Sequence, residues 1–182
     1  MIAPAATQGF VAARAKDASS ATEVIVRYLE DTEAAERNFE DALATFSKSG
    51  AQTDVQSLMA MMSDPARTQH QRLHSRLEQL GGSRSAGKSL LAHLLAFTPV
   101  SAQLGHEDSE KSTQHLLITY AAAAAELAMH ESLHAAATAA GDTETAQLPR
   151  VLQSEEQDDH RLAWEYLPRS ARASSQYVLA HR

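Results

Sequence analysis

The sequence predicts an all-α chain: a four-helix bundle of two antiparallel hairpins, joined by a long crossover that carries a short extra helix. Three observations predict it. Bulky apolar residues recur at three-four spacing over four long stretches, the period of a helix with one buried face. Seven glycines and five prolines in 182 residues leave room for long uninterrupted helices, since both residues are costly inside them. Few segments alternate apolar and polar residues with the period of two that a half-buried strand needs.

Residues 1–21 read as a loose lead-in. A first helix follows from about Thr22 to Ser47, with Ile25, Leu29, Thr32, Phe39, Leu43 and Phe46 along one stripe. Glu36 occupies the step between Thr32 and Phe39, so it is expected on the core side. Ser49, Gly50 and Asp54 supply turn and cap chemistry. The second helix starts near Asp54, carries Leu58 and Met62, and meets Pro65. A proline inside a helix removes a hydrogen bond and crowds the turn before it, so a kink or a break and restart is expected there. The helix then continues through Leu73, Leu77 and Leu80 to Gly81 and Gly82.

Gly82 to Ser89 is a loop, Leu90 to Phe97 a short apolar helix, and residues 100–112 are compatible with loop or helix. A third helix runs from about Gln114 to Ala140, with Leu116, Tyr120, Leu127 and Leu133 as its larger apolar members. Its alanine run, Ala121 to Ala125, suits a close helix crossing. After Gly141 and Asp142 the fourth helix spans roughly Thr145 to Tyr166, with Pro149 near its first turn and Leu152, Leu162 and Tyr166 inward. Pro168 is expected to stop it. Residues 22–168 thus form one bundle, and residues 169–182 a flexible basic tail.

Composition narrows the function. Hydrophobic residues are 43% and charged residues 21% of the chain, ordinary for a globular protein. A net charge of -7 speaks against a general nucleic-acid binder, because neutralising phosphates takes clustered Lys and Arg. The absence of cysteine removes disulfides, thiolate catalysis and Cys-based metal sites. Met1 to Phe10 lacks the basic and apolar regions of a signal peptide, and no run reaches the ~18 apolar residues of a membrane span. A cytoplasmic protein is expected, with neither membrane nor nucleic acid as partner.

The sharpest chemical signal is Glu36, Glu126 and Glu156 with His160. Glu36 lies fourteen residues before Gly50, Glu126 fifteen before Gly141, and Glu156 fifteen after it. In helices rising ~1.5 Å per residue those positions reach one level of the bundle. Glu156 and His160, four apart, share a helical face. Bundles of this layout can hold a di-metal site built from inward carboxylates and histidines. Such ligands suit iron or manganese, whose open positions allow oxygen or peroxide chemistry. The plainer reading puts the same groups on solvated, salt-bridged flanks. His130, Glu131 and His134 read as a solvated or dimer-contact face. His70 and His74 form an i, i+4 pair suited to zinc or nickel, without evident partners. Gly82 to Ser89 (GSRSAGKS) matches the phosphate-loop pattern, but that loop needs a strand before it and a helix after it, and a helix precedes it here.

Residues 28–36 (YLEDTEAAE), 69–73 (QHQRL), 77–82 (LEQLGG) and 89–94 (SLLAHL) resemble the ferritin-like superfamily, in particular the bacterial stress-associated proteins of the YciE/YciF type. Residues 125–129 (AELAM) and 153–156 (QSEE) fit its second hairpin. The resemblance covers about Thr22 to Pro168. It implies a homodimeric, stress-related or accessory ferritin-like bundle. It also implies an incomplete site: Glu36, Glu126 and Glu156 stand at ligand positions, and His160 where a carboxylate is frequent. Pro65, followed by Gln69 and His70, and Ala123 replace expected carboxylates. One iron or manganese ion, or none, is the reading that results, and the chain reads more as an accessory protein than as an enzyme. The alternatives are a metal-dependent oxidase or peroxide-scavenging protein, which would make it a di-metal oxidoreductase, and a nucleotide-binding module through Gly82–Ser89.

Overall fold

The computed structural model describes residues 5–83 and 108–180, with side chains for residues 21–83 and 108–180. Four helices account for almost all of them: α1, Ala5–Phe46; α2, Thr53–Gln79; α3, Asp108–Ala140; and α4, Thr143–Ala180. No strand occurs among the described residues. The short apolar helix expected at 90–97 lies outside them, as does most of the phosphate-loop match. α1 packs on α2 and on α3, α3 on α4, and α2 on α4, which closes the bundle.

The hairpin ends follow from glycine chemistry. Gly81 has φ +76°; Gly81 N–H donates to Glu78 O and Gly82 N–H to Leu77 O, both at 2.9 Å. The same pattern recurs at Gly141, with Asp142 N–H reaching Ala137 O at 3.0 Å. A left-handed glycine just past the helix thereby satisfies carbonyls that the helix leaves open. Asp142 then caps α4: its Oδ1 accepts from Thr145 N–H at 3.0 Å and its Oδ2 from the Thr145 hydroxyl at 2.6 Å. Arg76 of α2 grips the same carboxylate with one guanidinium nitrogen at 2.9 and 3.0 Å and Glu144 at 2.8 Å. This clamp ties the end of one hairpin to the turn of the other. Burial pushes the Asp142 carboxyl upward, but the Thr145 donors and Arg76 outweigh it and hold the group below the usual carboxylate range.

Three boundaries differ from expectation. The lead-in is not loose, because α1 begins at Ala5; alanine-rich sequence with no proline between Pro4 and Pro65 favours continuing the helix. Pro65 neither breaks nor restarts α2, and Pro168 does not stop α4. Each lies on the exposed face of its helix, as do Met61 and Trp164 four residues earlier. The carbonyls that lose their partners can therefore turn to water, and bending away from the proline ring is unopposed. The expected flexible tail is instead the last turns of α4. They are anchored by buried Ser170 and Ser174. The Gln52 amide donates to Ser170 O at 3.1 Å and Ser174 Oγ at 3.2 Å, and Thr113 and Ser170 share a hydroxyl bond of 2.8 Å.

Two apolar clusters fill the interior. One gathers Phe39, Leu43, Val55, Leu58, Met59, Met62 and Leu116, with the small Ala122 and Ala123. The other gathers Ile25, Leu29, Leu73, Leu77, Leu133 and Leu152. In register, the residues between them on each helix are Glu33 and Glu36, Gln69 and His70, Glu126 and His130, and Glu156 and Asp159, all buried. A polar layer therefore crosses an otherwise apolar core.

Candidate metal centre

Three of the four helices bring carboxylates of this polar layer together. Glu36 from α1, Glu126 from α3 and Glu156 from α4 each offer a carboxylate oxygen within 4.8 Å of the others, and none of the three is exposed. Helical rotation places them there: each continues its helix's apolar stripe by one step, so packing of the stripe carries the carboxylate inward. Among the described residues, no donor makes a well-formed hydrogen bond to any of the six oxygens.

His130 completes one side. Its Nε2 lies 3.2 Å from Glu36 Oε1, with both side chains fully buried. The solvated face expected for His130, Glu131 and His134 thus divides. Glu131 remains outside, accepting from Arg150 at 2.8 Å and Gln153 at 3.0 Å, and His134 Nδ1 lies 2.7 Å from Ala146 O. Only His130, four residues after Glu126, turns inward.

His160 is not part of the cluster. Its ring stacks on Tyr120 at 4.1 Å between centroids, with Trp164 5.4 Å beyond Tyr120. Asp159 is the buried neighbour instead. Positions three and four after Glu156 share a face, and the rotation of α4 against α3 and α2 selects the third. The Glu156, Asp159 pair has the i, i+3 spacing found in carboxylate metal bundles, a signal present in the sequence. α2 contributes no carboxylate from its buried face; Met62, Ser63, Ala66 and Gln69 stand there.

The electrostatics are those of crowded, desolvated acids. Burial, then the Glu36 and Glu156 charges, push the Glu126 carboxyl well above the usual range. Burial, then Glu36 and Asp159, do the same to Glu156. Burial, followed by Glu36, Asp158 and Glu155, pushes Asp159 up to about 7. Like charges about 5 Å apart repel by about 3 kcal/mol per pair at an effective dielectric of about 20. Protons or a cation must therefore offset this charge. Unpartnered, fully buried oxygens beside an imidazole nitrogen fit a metal ion in donor type and in charge.

A family described as a domain of unknown function (DUF892) matches residues 20–175. The chain belongs to the DUF892 family. Its ferritin-like four-helix fold is shared with solved structures. This DUF892 chain is similar to a protein from Xanthomonas campestris pv. campestris, with TM-score 0.72 and 20% identity over 88% of this chain and 99% of that one. It is similar to YcfI from Rhodopseudomonas palustris, with TM-score 0.69 and 17% identity over 79% and 92%. Dps from Thermosynechococcus elongatus shares the fold at TM-score 0.69 and 19% identity, over 83% and 94%. At these identities the likeness concerns the fold. Comparison with curated proteins gave no match.

Proposed function

We propose that this ferritin-like chain holds a single iron or manganese ion among Glu36, Glu126 and Glu156, with His130 and Asp159 beside it, and serves a stress-related or accessory role. The observation that carries the reading is the set of three buried carboxylates whose oxygens converge within 4.8 Å without a well-formed hydrogen bond, with His130 Nε2 3.2 Å from Glu36 Oε1. Carboxylate and imidazole donors suit iron and manganese, and an ion held there would supply redox chemistry toward oxygen or peroxide. The chain's own part is to hold the donors dry between two apolar clusters and to balance the ion's charge. A single ion is favoured over a di-metal oxidase because α2 and Ala123 offer no carboxylate to hold a second. The nucleotide-binding alternative is weakened by α2, a helix, running directly into Gly81 and Gly82.

Elemental analysis of the full chain after loading with Fe(II) or Mn(II) tests the reading. The expected result is about one ion per chain, lost in Glu126→Ala. Two ions at Glu126-dependent sites would favour the oxidase, and retention by Glu126→Ala would remove the proposal. The homodimer implied by the resemblance belongs to the same proposal, and half-exposed Leu117 and Trp164 offer apolar surface for it. Light scattering at a monomer mass would overturn that part.

A further inference from the structure

A second group of ligand-type side chains lies between α1 and α2, outside the carboxylate cluster. Glu33 Oε1 is 3.0 Å from His70 Nε2 and 3.6 Å from His74 Nδ1. Glu40 Oε2 is 3.0 Å from His70 Nδ1, and Glu78 Oε1 is 3.3 Å from His74 Nε2. Glu33 is fully buried, His70 nearly so, and the His74 side chain is 21% exposed. The buried His74 Nδ1 has no hydrogen-bond partner.

Two features set this group apart from a surface ion pair. Both ring nitrogens of His70 face carboxylate oxygens, yet a neutral imidazole donates from only one of them. A further cation, a proton or a metal ion, must join the group to keep two lone pairs from facing each other. In addition, histidines four apart on one helix are a recurring bidentate zinc element, and the third donor, Glu33, comes from the neighbouring helix.

We infer that Glu33, His70 and His74 form a second site, for a divalent transition ion of the zinc class. Zinc at about 2.0–2.1 Å from each donor keeps tetrahedral donors about 3.3 Å apart. The two contacts of Glu33 Oε1, at 3.0 and 3.6 Å, bracket that separation. The His70 and His74 ring centroids are 6.3 Å apart, on the order of 1 Å wider than two imidazoles on one tetrahedral ion. Holding one ion therefore requires the part-exposed His74 ring to turn toward His70. Glu40 and Glu78 then serve as outer acceptors that orient the two rings. Imidazole donors select zinc, cobalt or nickel here, whereas the inner carboxylate cluster favours harder ions.

The test uses the full chain, stripped with chelator and titrated with Co(II) and with Zn(II), beside its Glu126→Gln and His74→Ala variants. The expected result is a visible Co(II) spectrum of a nitrogen-ligated site in the wild type and in Glu126→Gln, absent in His74→Ala. Zn(II) affinity at this site should fall at least tenfold in His74→Ala. Glu33→Gln, which keeps the side-chain shape, should weaken Zn(II) binding in the same direction. Unchanged Co(II) spectra and Zn(II) binding in both His74→Ala and Glu33→Gln would overturn the site. Binding lost in Glu126→Gln but kept in His74→Ala would overturn it while leaving the inner cluster standing. The reverse pattern supports this site, and the inner cluster is judged separately by its Fe(II) or Mn(II) loading.

Discussion

His130 Nε2 on α3 and Glu36 Oε1 on α1 face each other at 3.2 Å, both wholly removed from solvent, in the layer that also holds Glu126 and Glu156. This cross-helix contact turns a row of acidic residues into a mixed oxygen and nitrogen donor set. It also separates His130 from His160, which the stack on Tyr120 occupies.

Metal binding should therefore discriminate between the two histidines. His130→Ala is expected to weaken Fe(II) or Mn(II) binding by about 10- to 100-fold, the usual cost of losing a ligand or its supporting contact. His160→Ala should leave the affinity within a factor of about two. Equilibrium dialysis of both variants would decide, and equal losses would contradict the assignment of His130.

Without metal, the buried acids should lower stability. Glu126→Leu replaces a desolvated carboxyl with an apolar side chain in a dry layer, a change worth about 1–3 kcal/mol of added stability. For a chain of this size each kcal/mol moves the melting temperature by about 2–4 °C. In thermal melts with chelator Glu126→Leu should exceed the wild type; with Fe(II) or Mn(II) the order should reverse, since only the wild type gains from the ion. A wild-type melting temperature indifferent to metal would contradict this.

Asp159 predicts a pH dependence whose sign is opposite to that of a salt-bridged aspartate. Its folded pKa of about 7 lies above the ordinary 3.8. Between those values the folded protein keeps a proton that the unfolded chain releases, so rising pH favours unfolding. Relative to Asp159→Asn, the metal-free wild type should lose stability from about pH 4 to about pH 7, by at most about 4 kcal/mol. His115 contributes in the other direction: burial, then Lys111, lower it to about 4, so its contribution rises with pH up to about 6.5. That contribution is common to both proteins and cancels in the difference. Urea unfolding at pH 4.5 and 7.5 gives the comparison, and parallel curves for the two proteins would rule the assignment out.

Arg76→Ala should cost about 1–3 kcal/mol, because it leaves the Asp142 cap without its charged partner and unties the two hairpins. Gln52→Ala acts at the opposite end. It should speed amide exchange in residues 169–180 while leaving the Glu36 level protected, since its contacts there are to Ser109, Ser170 and Ser174. Uniform loss of protection along the chain would show that the last turns of α4 are not separately anchored.

The number of helices, their hairpin order and the common depth of Glu36, Glu126 and Glu156 were legible in the chain itself. Hydrophobic period, left-handed glycines and residue counts from each turn are local properties, readable one helix at a time. Other features depend on how helices rotate and lean against one another. Whether Asp159 or His160 faces inward, and whether His130 is solvated, turn on about a third of a helical turn that α3 and α4 settle by packing. The fate of Pro65 and Pro168 depends on which side of the helix meets water, and the pairing of His70 with Glu33 needs two helices in contact. Local periodicity specified the elements. Packing between helices decided which of their polar side chains meet.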